Sequence, residues 1–175
     1  MDITIAPMAA EHIEGFHAAL DVVARERKYL AHIEAPPLDK VREFVMDNVA
    51  KGHSQFVALA DGKVVGWCDI LPKARPTYAH CGVLGMGLLP AWRGRGNGTA
   101  LIGATLHHAR GRGLVRIELT VNADNAPAIE LYERVGFTKE GILRDASLTD
   151  GVYRDLILMA MVDRANATRG QQPNG

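Results

Sequence analysis

Residues 93–98 read RGRGNG, a glycine-rich basic loop between the apolar run VLGMGLLP and the helix-like run TALIGATLHHA. Glycine costs about 0.5–1 kcal/mol of backbone entropy relative to alanine within a regular element. A simple turn from strand to helix is one explanation for the loop. The other is a loop whose backbone N–H groups, with the N-terminus of the next helix, approach an anion such as a pyrophosphate.

The spacing of these glycines excludes two common phosphate-binding loops. A P-loop requires Gly-Lys-Ser or Gly-Lys-Thr, and neither tripeptide occurs in the chain. A dinucleotide fingerprint requires G-x-G-x-x-G, whereas the run from Gly94 to Gly98 is one residue too short. What remains is a strand, then Pro90, then R-x-x-G-x-G from Arg93 to Gly98, and then a helix.

The periodicity of the rest of the chain predicts an α/β fold with a mixed sheet. The order is β-α-α-β-β-β-α-β-α-β-β, with a hairpin over 55–70 that turns at Asp61-Gly62, a pair suited to positive φ. The other predicted strands are 3–7, 79–89, 116–121, 137–143 and 152–162, and the predicted helices are 9–27, 38–51, 98–110 and 126–135.

Length and composition indicate a single domain over 1–162, and the polar stretch 163–175 is predicted to be a flexible tail. Twenty Lys and Arg balance twenty Asp and Glu, so no overall field attracts nucleic acid or an anionic membrane. Residues 1–15 lack the basic and apolar pattern of a signal peptide, and the given sequence contains no apolar run long enough to span a bilayer. We therefore expect a cytoplasmic protein without nucleic-acid or membrane partners.

The two cysteines, Cys68 and Cys81, both lie in strand-like apolar segments. Two thiols form neither a disulfide framework nor a zinc site with Cys/His spacing. We expect both to be buried and reduced, and we expect no metal site.

Two motifs together resemble a known family. MGLLPAWRGRGNGTALI resembles the acyl-CoA-binding motif of the GCN5-related N-acetyltransferases (GNAT family), and NADNAPAIELYERVGF (122–137) resembles that family's second signature. The resemblance covers residues 3–162 and is greatest to bacterial members that acetylate free amino acids. It implies the GNAT fold, with acetyl-CoA as co-substrate. Homodimers are common among similar proteins, so a homodimer is also expected.

The resemblance assigns the donor site. Backbone N–H groups from Arg95 through Thr99 would bind the pyrophosphate, and Arg93 would add charge beside Arg95. The backbone of Met86 and Leu88 would bind the acetyl oxygen and the pantetheine arm. Glycines beside them would allow close approach of the thioester, or would mark a β-bulge. The implied cofactor-binding residues are Met86, Gly87, Leu88, Arg93, Gly94, Arg95, Gly96, Asn97, Gly98, Thr99, Asn125 and Tyr132.

The resemblance also suggests catalytic roles. Asn125 would bind the pantetheine amide, or else act only as a helix N-cap. Tyr132 would protonate the leaving thiolate, or else belong only to the core. Some family members carry a Glu, acting as general base, four residues before the acetyl-binding position, but here that residue is Gly82. His80 is the candidate base. The alternatives are that a water chain or backbone carbonyls remove the proton, and that His80 is only a histidine at the end of a strand.

The acceptor is expected to be a primary amine of a small, amino-acid-like molecule, attacked directly in a ternary complex. Candidate acceptor-binding residues are Tyr29, Trp67, Asp69 and Tyr153. Cationic and acidic groups are both present, so composition does not choose between an amino acid and a polyamine. The alternatives are a protein N-terminal or polyamine acetyltransferase and, in a different class, a non-catalytic acyl-CoA sensor.

Overall fold

The computed structural model describes residues 2–166 and contains one seven-stranded sheet. The strands are β1 (Thr4–Pro7), β2 (Ser54–Ala60), β3 (Lys63–Pro72), β4 (Cys81–Leu88), β5 (Arg116–Asn122), β6 (Thr138–Thr149) and β7 (Val152–Val162). The helices are α1 (Ile13–Arg25), α2 (Leu38–Ala50), α3 (Asn97–Gly111) and α4 (Ala126–Arg134). The order across the sheet is β1-β2-β3-β4-β5-β7-β6, so the predicted α/β mixed-sheet class and order of elements are confirmed.

Helices cover both faces of the sheet. The first face packs against α1 and α2, and its core contains Ile13, Phe16, Leu20, Val23, Val41, Val45, Val57 and Trp67. The second face packs against α3 and α4, and its core contains Cys68, Ile70, Leu101, Ile102, Leu119, Ile129, Tyr132 and Met159. Successive residues of a strand point to opposite faces, which is why neighbours such as Trp67 and Cys68 belong to different cores.

Several predicted boundaries differ from the structure. The stretch before Ile13 forms a 3-10 turn, so α1 begins four residues later than its apolar periodicity suggests. Val49 continues the apolar spacing of Val41 and Val45 along α2, but it is exposed whereas those two are buried. β6 runs to Thr149 rather than ending at Leu143, because an irregularity between Leu143 and Ser147 breaks the alternation that identifies a strand.

Other expectations concern the chain's ends and its thiols. Cys68 and Cys81 are both buried and unbridged. The tail predicted for 163–175 lies mostly outside the described residues, although Arg164–Asn166 form a short 3-10 turn. None of the helices within residues 2–166 is both long and apolar enough to cross a membrane.

The sheet opens between its central strand, β4, and the neighbouring β5. β4 and β5 are the only parallel neighbours in the described sheet, and they pair only where Cys81–Val83 meets Arg116–Glu118. Beyond that point β4 stays paired with β3 as far as Leu88, and β5 stays paired with β7 as far as Asn122. A gap therefore opens in the middle of the sheet, at the carboxyl ends of both strands.

Candidate active site

The edge of β4 presents backbone groups to this gap. The C=O of Cys81 accepts a hydrogen bond from the N–H of Lys73, just after β3, and the N–H of Leu89 donates to the C=O of Val65 in β3, at 2.9 Å each. Because consecutive residues of a strand direct their N–H and C=O groups to opposite sides, Leu84, Met86 and Leu88 direct theirs towards β5. The strand edge at Met86 can therefore accept an extended ligand in the way it would accept another strand.

The glycine loop continues from the end of β4 into α3. Gly94 has φ +71° and Gly96, the N-cap of α3, has φ +80°. A Cβ added at either would have no atom of the described residues within 4 Å. Glycine is thus favoured here by backbone conformation rather than by crowding. The first intrahelical bond runs from Ala100 N–H to Gly96, so the earlier N–H groups project from the positive end of the helix.

Gly98 has a different role from the other loop glycines. It is buried, and a Cβ there would lie 2.9 Å from Cδ2 of Leu131 on α4. Its missing side chain therefore lets α3 and α4 approach each other. The N-terminus of α3 is positioned by this contact.

The two arginines of the loop differ in their partners. The guanidinium of Arg93 donates to both oxygens of Glu26, one at 2.9 Å, and its Nε donates to the carbonyl of Leu88 at 2.8 Å. It also lies 4.9 Å from the ring centroid of Tyr29. Arg93, which was expected to add charge near the phosphates, is thus paired with the carboxylate of Glu26, directly after α1. Arg95 is exposed and forms no ion pair with any of the residues 2–166.

Tyr132 and Asn125 lie at the other side of the gap, on α4. Tyr132 is 8% exposed and packs edge-on against Phe137, with ring centroids 5.9 Å apart. Burial raises the pKa of its phenol above the usual value, so the hydroxyl keeps its proton. Asn125 is the N-cap of α4, because its Oδ1 accepts a hydrogen bond from Ala128 N–H at 3.4 Å. That N-cap role leaves its amide nitrogen available for a ligand.

The structure does not bring His80 to the gap. His80 is exposed in the turn before β4, which begins at Cys81 rather than at residue 79 as predicted. Met86 lies six positions further along the chain, which in a strand is a distance of about 20 Å. At Gly82, a Cβ would lie 2.7 Å from Ile70 Cγ2 and 2.8 Å from Leu114 Cδ1, so a glutamate has no room there.

Trp67, predicted to bind the acceptor, is part of the core. It is 4% exposed and packs edge-on against Phe16 of α1 at 5.4 Å between ring centroids. Its ring also covers Gly87, where a Cβ would lie 2.7 Å from Cζ2 and Cζ3. Trp67 therefore fills the space over Gly87 and does not present an exposed surface to a ligand.

Asp69 lies two residues after Trp67 and on the same face of β3. It is directly opposite Gly85 in the register, and its Oδ1 is 3.2 Å from where a Cβ of Gly85 would be. The pairing of β3 with β4 contains no register shift, so the β-bulge suggested for the glycines of β4 is wrong. Burial raises the pKa of the Asp69 carboxyl to about 7.

The segment after α1 is held across the open end of the gap. Asn122 of β5 donates its amide hydrogen to the carbonyl of Lys28, and Arg27 pairs with Asp150 at 2.9 Å. This places Tyr29, which is 41% exposed, near the gap. Tyr153 is 63% exposed on β7, opposite Leu148 in the β6–β7 hairpin.

Sequence reasoning missed Glu26 and Asn122 as residues that organise this site. Both act on partners distant in the chain, Arg93 and Lys28, and nothing in their local sequence identifies those partners. Among residues 2–166, no group of three or more His, Cys, Asp or Glu is arranged to hold a metal ion.

Known proteins are similar to this chain over most of its length. The sequence pattern of the Acetyltransferase (GNAT) family matches residues 19–137. The L-amino acid N-acetyltransferase AaaT of Escherichia coli K12 is 35% identical over 150 residues, which are 84% of this chain and 91% of that protein. A mycothiol acetyltransferase of Corynebacterium glutamicum is 49% identical over 53 residues, only 30% of this chain and 18% of that protein.

Solved structures share the fold. That of yncA from Salmonella typhimurium with its cofactor acetyl-CoA has a TM-score of 0.87 at 17% identity, covering 99% of this chain and 98% of that one. A phosphinothricin acetyltransferase from Sinorhizobium meliloti, in complex with acetyl-CoA, has a TM-score of 0.88 at 18% identity, covering 99% and 94%. The chain therefore belongs to the GNAT acetyltransferase family and is an N-acetyltransferase that uses acetyl-CoA.

Proposed function

We propose that this enzyme transfers the acetyl group of acetyl-CoA to the primary amine of a small, amino-acid-like molecule, by direct attack in a ternary complex. The observation that carries the proposal is the gap between β4 and β5, which ends at the N-terminus of α3. The relative AaaT, named as an L-amino acid N-acetyltransferase, supports the acceptor class.

The residues around the gap fit acetyl-CoA. The edge of β4 at Met86 and Leu88 offers strand-like hydrogen bonds to an amide-containing arm. At the end of that edge, the orphan N–H groups of α3 suit a pyrophosphate. The proposed donor site is the predicted set Met86, Gly87, Leu88, Gly94, Arg95, Gly96, Asn97, Gly98, Thr99, Asn125 and Tyr132, with Arg93 acting through Glu26 rather than on the phosphates.

Groups of the chain itself carry out each step of the proposed acetyl transfer. When bound, acetyl-CoA supplies an electrophilic thioester carbonyl, and the N–H of Met86 stabilises charge on its oxygen. Tyr132 donates a proton to the sulfur as it leaves. The acceptor enters from the face covered by α1, between Tyr29 and the β6–β7 hairpin that carries Tyr153, with its amine towards Asp69.

The first experiment is a thiol-release assay with acetyl-CoA and separate panels of free amino acids, polyamines and N-terminal peptides. Release with amino acids supports the proposal. Release with polyamines or peptides alone would replace the acceptor class. Acetyl-CoA binding without release for any amine would favour the sensor alternative over an active enzyme.

The donor site is tested by Thr99→Glu. A carboxylate in the first turn of α3 favours the helix but repels a bound pyrophosphate, so the affinity for acetyl-CoA should fall at least about tenfold with stability preserved. His107→Glu, on an exposed position of the same helix, is the control and should leave affinity unchanged. Equal affinities of the wild type, Thr99→Glu and His107→Glu for acetyl-CoA would contradict the proposed position of the pyrophosphate.

The expected homodimer and cytoplasmic location stay predictions. Sedimentation of the purified protein at several concentrations tests the first, and fractionation of the source cells tests the second.

A further inference from the structure

We propose that Asp69 is the general base that removes a proton from the acceptor's ammonium group. This rests on the proposed acetyl transfer to an amine. The base expected on β4 is missing, because Gly82 has no space for a side chain and His80 lies in the turn before the strand. Asp69 approaches the same part of β4 from the neighbouring strand.

The position of Asp69 is fixed by register. It lies opposite Gly85, which directly precedes Met86, the residue whose backbone faces the gap. Because Gly85 has no side chain, the carboxylate extends over it, with Oδ1 3.2 Å from the site of an added Cβ. The carboxylate therefore lies one residue from the backbone group proposed to bind the acetyl oxygen.

The carboxylate of Asp69 is unpaired in the part of the chain that the structure describes. Within residues 2–166 it forms neither a hydrogen bond nor an ion pair, although it is partly exposed and can be reached by a ligand. Burial raises its pKa to about 7, which suits a group that must take and release protons near neutral pH. Structural carboxylates in proteins are normally paired when they are buried.

The groups facing Asp69 do not neutralise it. Gln55 lies opposite it on β2, but neither side-chain polar atom of Gln55 has a hydrogen-bond partner among the described residues. The Cys68 thiol, next in sequence, lies on the opposite face of β3, and its pKa is raised mainly by burial and slightly by Asp69, so it stays neutral. Further along the same face, Lys73 pairs with Glu118. The side of α1 that packs on this face is apolar.

The proton balance is complete with the groups named. The ammonium loses one proton to Asp69, its nitrogen then bonds to the acetyl carbon, and the bond from that carbon to sulfur breaks. Tyr132 protonates the sulfur. The second proton of the nitrogen passes to water as the amide forms, Tyr132 is reprotonated by water, and Asp69 releases its proton to water. One proton is released per acetyl group transferred.

The test compares Asp69→Asn with the wild type and with Asp47→Asn, a control on α2 where the carboxylate pairs with Lys51 at 2.7 Å. We expect kcat/KM for the best amine acceptor to fall at least about 10²-fold in Asp69→Asn, with an unchanged Kd for acetyl-CoA. The wild-type acid limb near pH 7 should disappear in this variant. Asp47→Asn should match the wild type.

Two further measurements separate a base from a structural group. A weakly basic acceptor, such as a hydrazide, is neutral at the assay pH, so its rate should fall much less in Asp69→Asn. Carbon-13 NMR of the free protein should show one aspartate carboxyl titrating near pH 7, absent from Asp69→Asn.

An active Asp69→Asn with an intact acid limb, equal losses for both acceptors, or an Asp69 carboxyl titrating near its ordinary value of about 4 would each overturn the assignment. A wild-type protein that transfers acetyl to no amine would instead contradict the proposed function itself.

Discussion

The indole of Trp67 fills the space that a side chain at Gly87 would occupy on the neighbouring strand. A Cβ at Gly87 would lie 2.7 Å from Cζ2 and Cζ3 of the ring, closer than such atoms normally approach. Gly85, two residues earlier, is covered less tightly by Asp69, whose Oδ1 would lie 3.2 Å from an added Cβ. The glycines of β4 are thus explained by the side chains of β3, which extend across them towards the gap.

This relationship predicts that Gly87→Ala destabilises the protein. The methyl group must displace Trp67, which is held by Phe16, so we expect a loss of about 1–3 kcal/mol in the free energy of unfolding. Urea denaturation followed by tryptophan fluorescence measures it. Trp67→Leu should remove most of the penalty of Gly87→Ala when the two are combined.

Gly103→Ala is the matched control. Gly103 lies within α3, and a Cβ there would meet no atom of residues 2–166 within 4 Å, so alanine should stabilise the helix by about 0.5–1 kcal/mol. If Gly87→Ala were as well tolerated as Gly103→Ala, the packing role assigned to Trp67 would be wrong.

The two arginines of the loop should respond differently to substitution. Arg93 joins the end of β4 to Glu26 after α1, so Arg93→Ala should lower stability by about 1–2 kcal/mol, and Arg93→Lys should recover little because lysine lacks the bidentate geometry. Arg95→Ala should keep stability and raise the KM for acetyl-CoA several-fold, most strongly at low salt. Thermal unfolding and steady-state kinetics distinguish the two. The reverse pattern would place Arg93, not Arg95, at the phosphates.

Much of the fold could be predicted from the sequence because its elements have strong local signals. The apolar spacing of Ile13, Phe16, Leu20 and Val23 predicts α1, and these side chains are buried. The hairpin at Asp61-Gly62 is equally local, with φ of +47° and +75° at the two residues. Signals of this kind depend only on neighbours in the chain.

The site was less accessible to prediction, because its geometry depends on pairing between distant segments. Trp67 and Asp69 look equivalent in sequence, as alternate residues of one strand. Only the register with β4 shows that Trp67 is enclosed by α1 and that Asp69 lies over Gly85, unpaired among residues 2–166. The contact between Arg93 and Glu26 joins residues 67 positions apart, so the pattern around the glycine loop could not reveal it.

Tyr132→Phe should lower kcat by about 10²-fold or more while leaving stability nearly unchanged, because only the proposed proton donor is removed. The raised pKa of this buried phenol keeps it protonated throughout the working pH range. Thiol release measures the effect, and Tyr78→Phe, at an exposed tyrosine near Lys73, is the control. A Tyr132→Phe enzyme with wild-type kcat would leave Tyr132 a packing residue.

The pH dependence of stability tests the environment of Asp69 without any substrate. Its folded pKa of about 7 lies above the ordinary 3.8, so the folded state holds a proton that the unfolded state releases between about pH 4 and pH 7. Stability is therefore lost as pH rises through this window, and the full cost of ionising the carboxyl is present above pH 7.

Asp69→Asn avoids that cost. Its advantage over the wild type in free energy of unfolding should grow by about 1–3 kcal/mol between about pH 5 and pH 8, since partial exposure to water offsets part of the penalty. Urea denaturation at both pH values measures the difference. An advantage that stays constant with pH would mean that the carboxyl is ionised normally in the folded protein, and Asp69 would then lack the proton affinity that its proposed role requires.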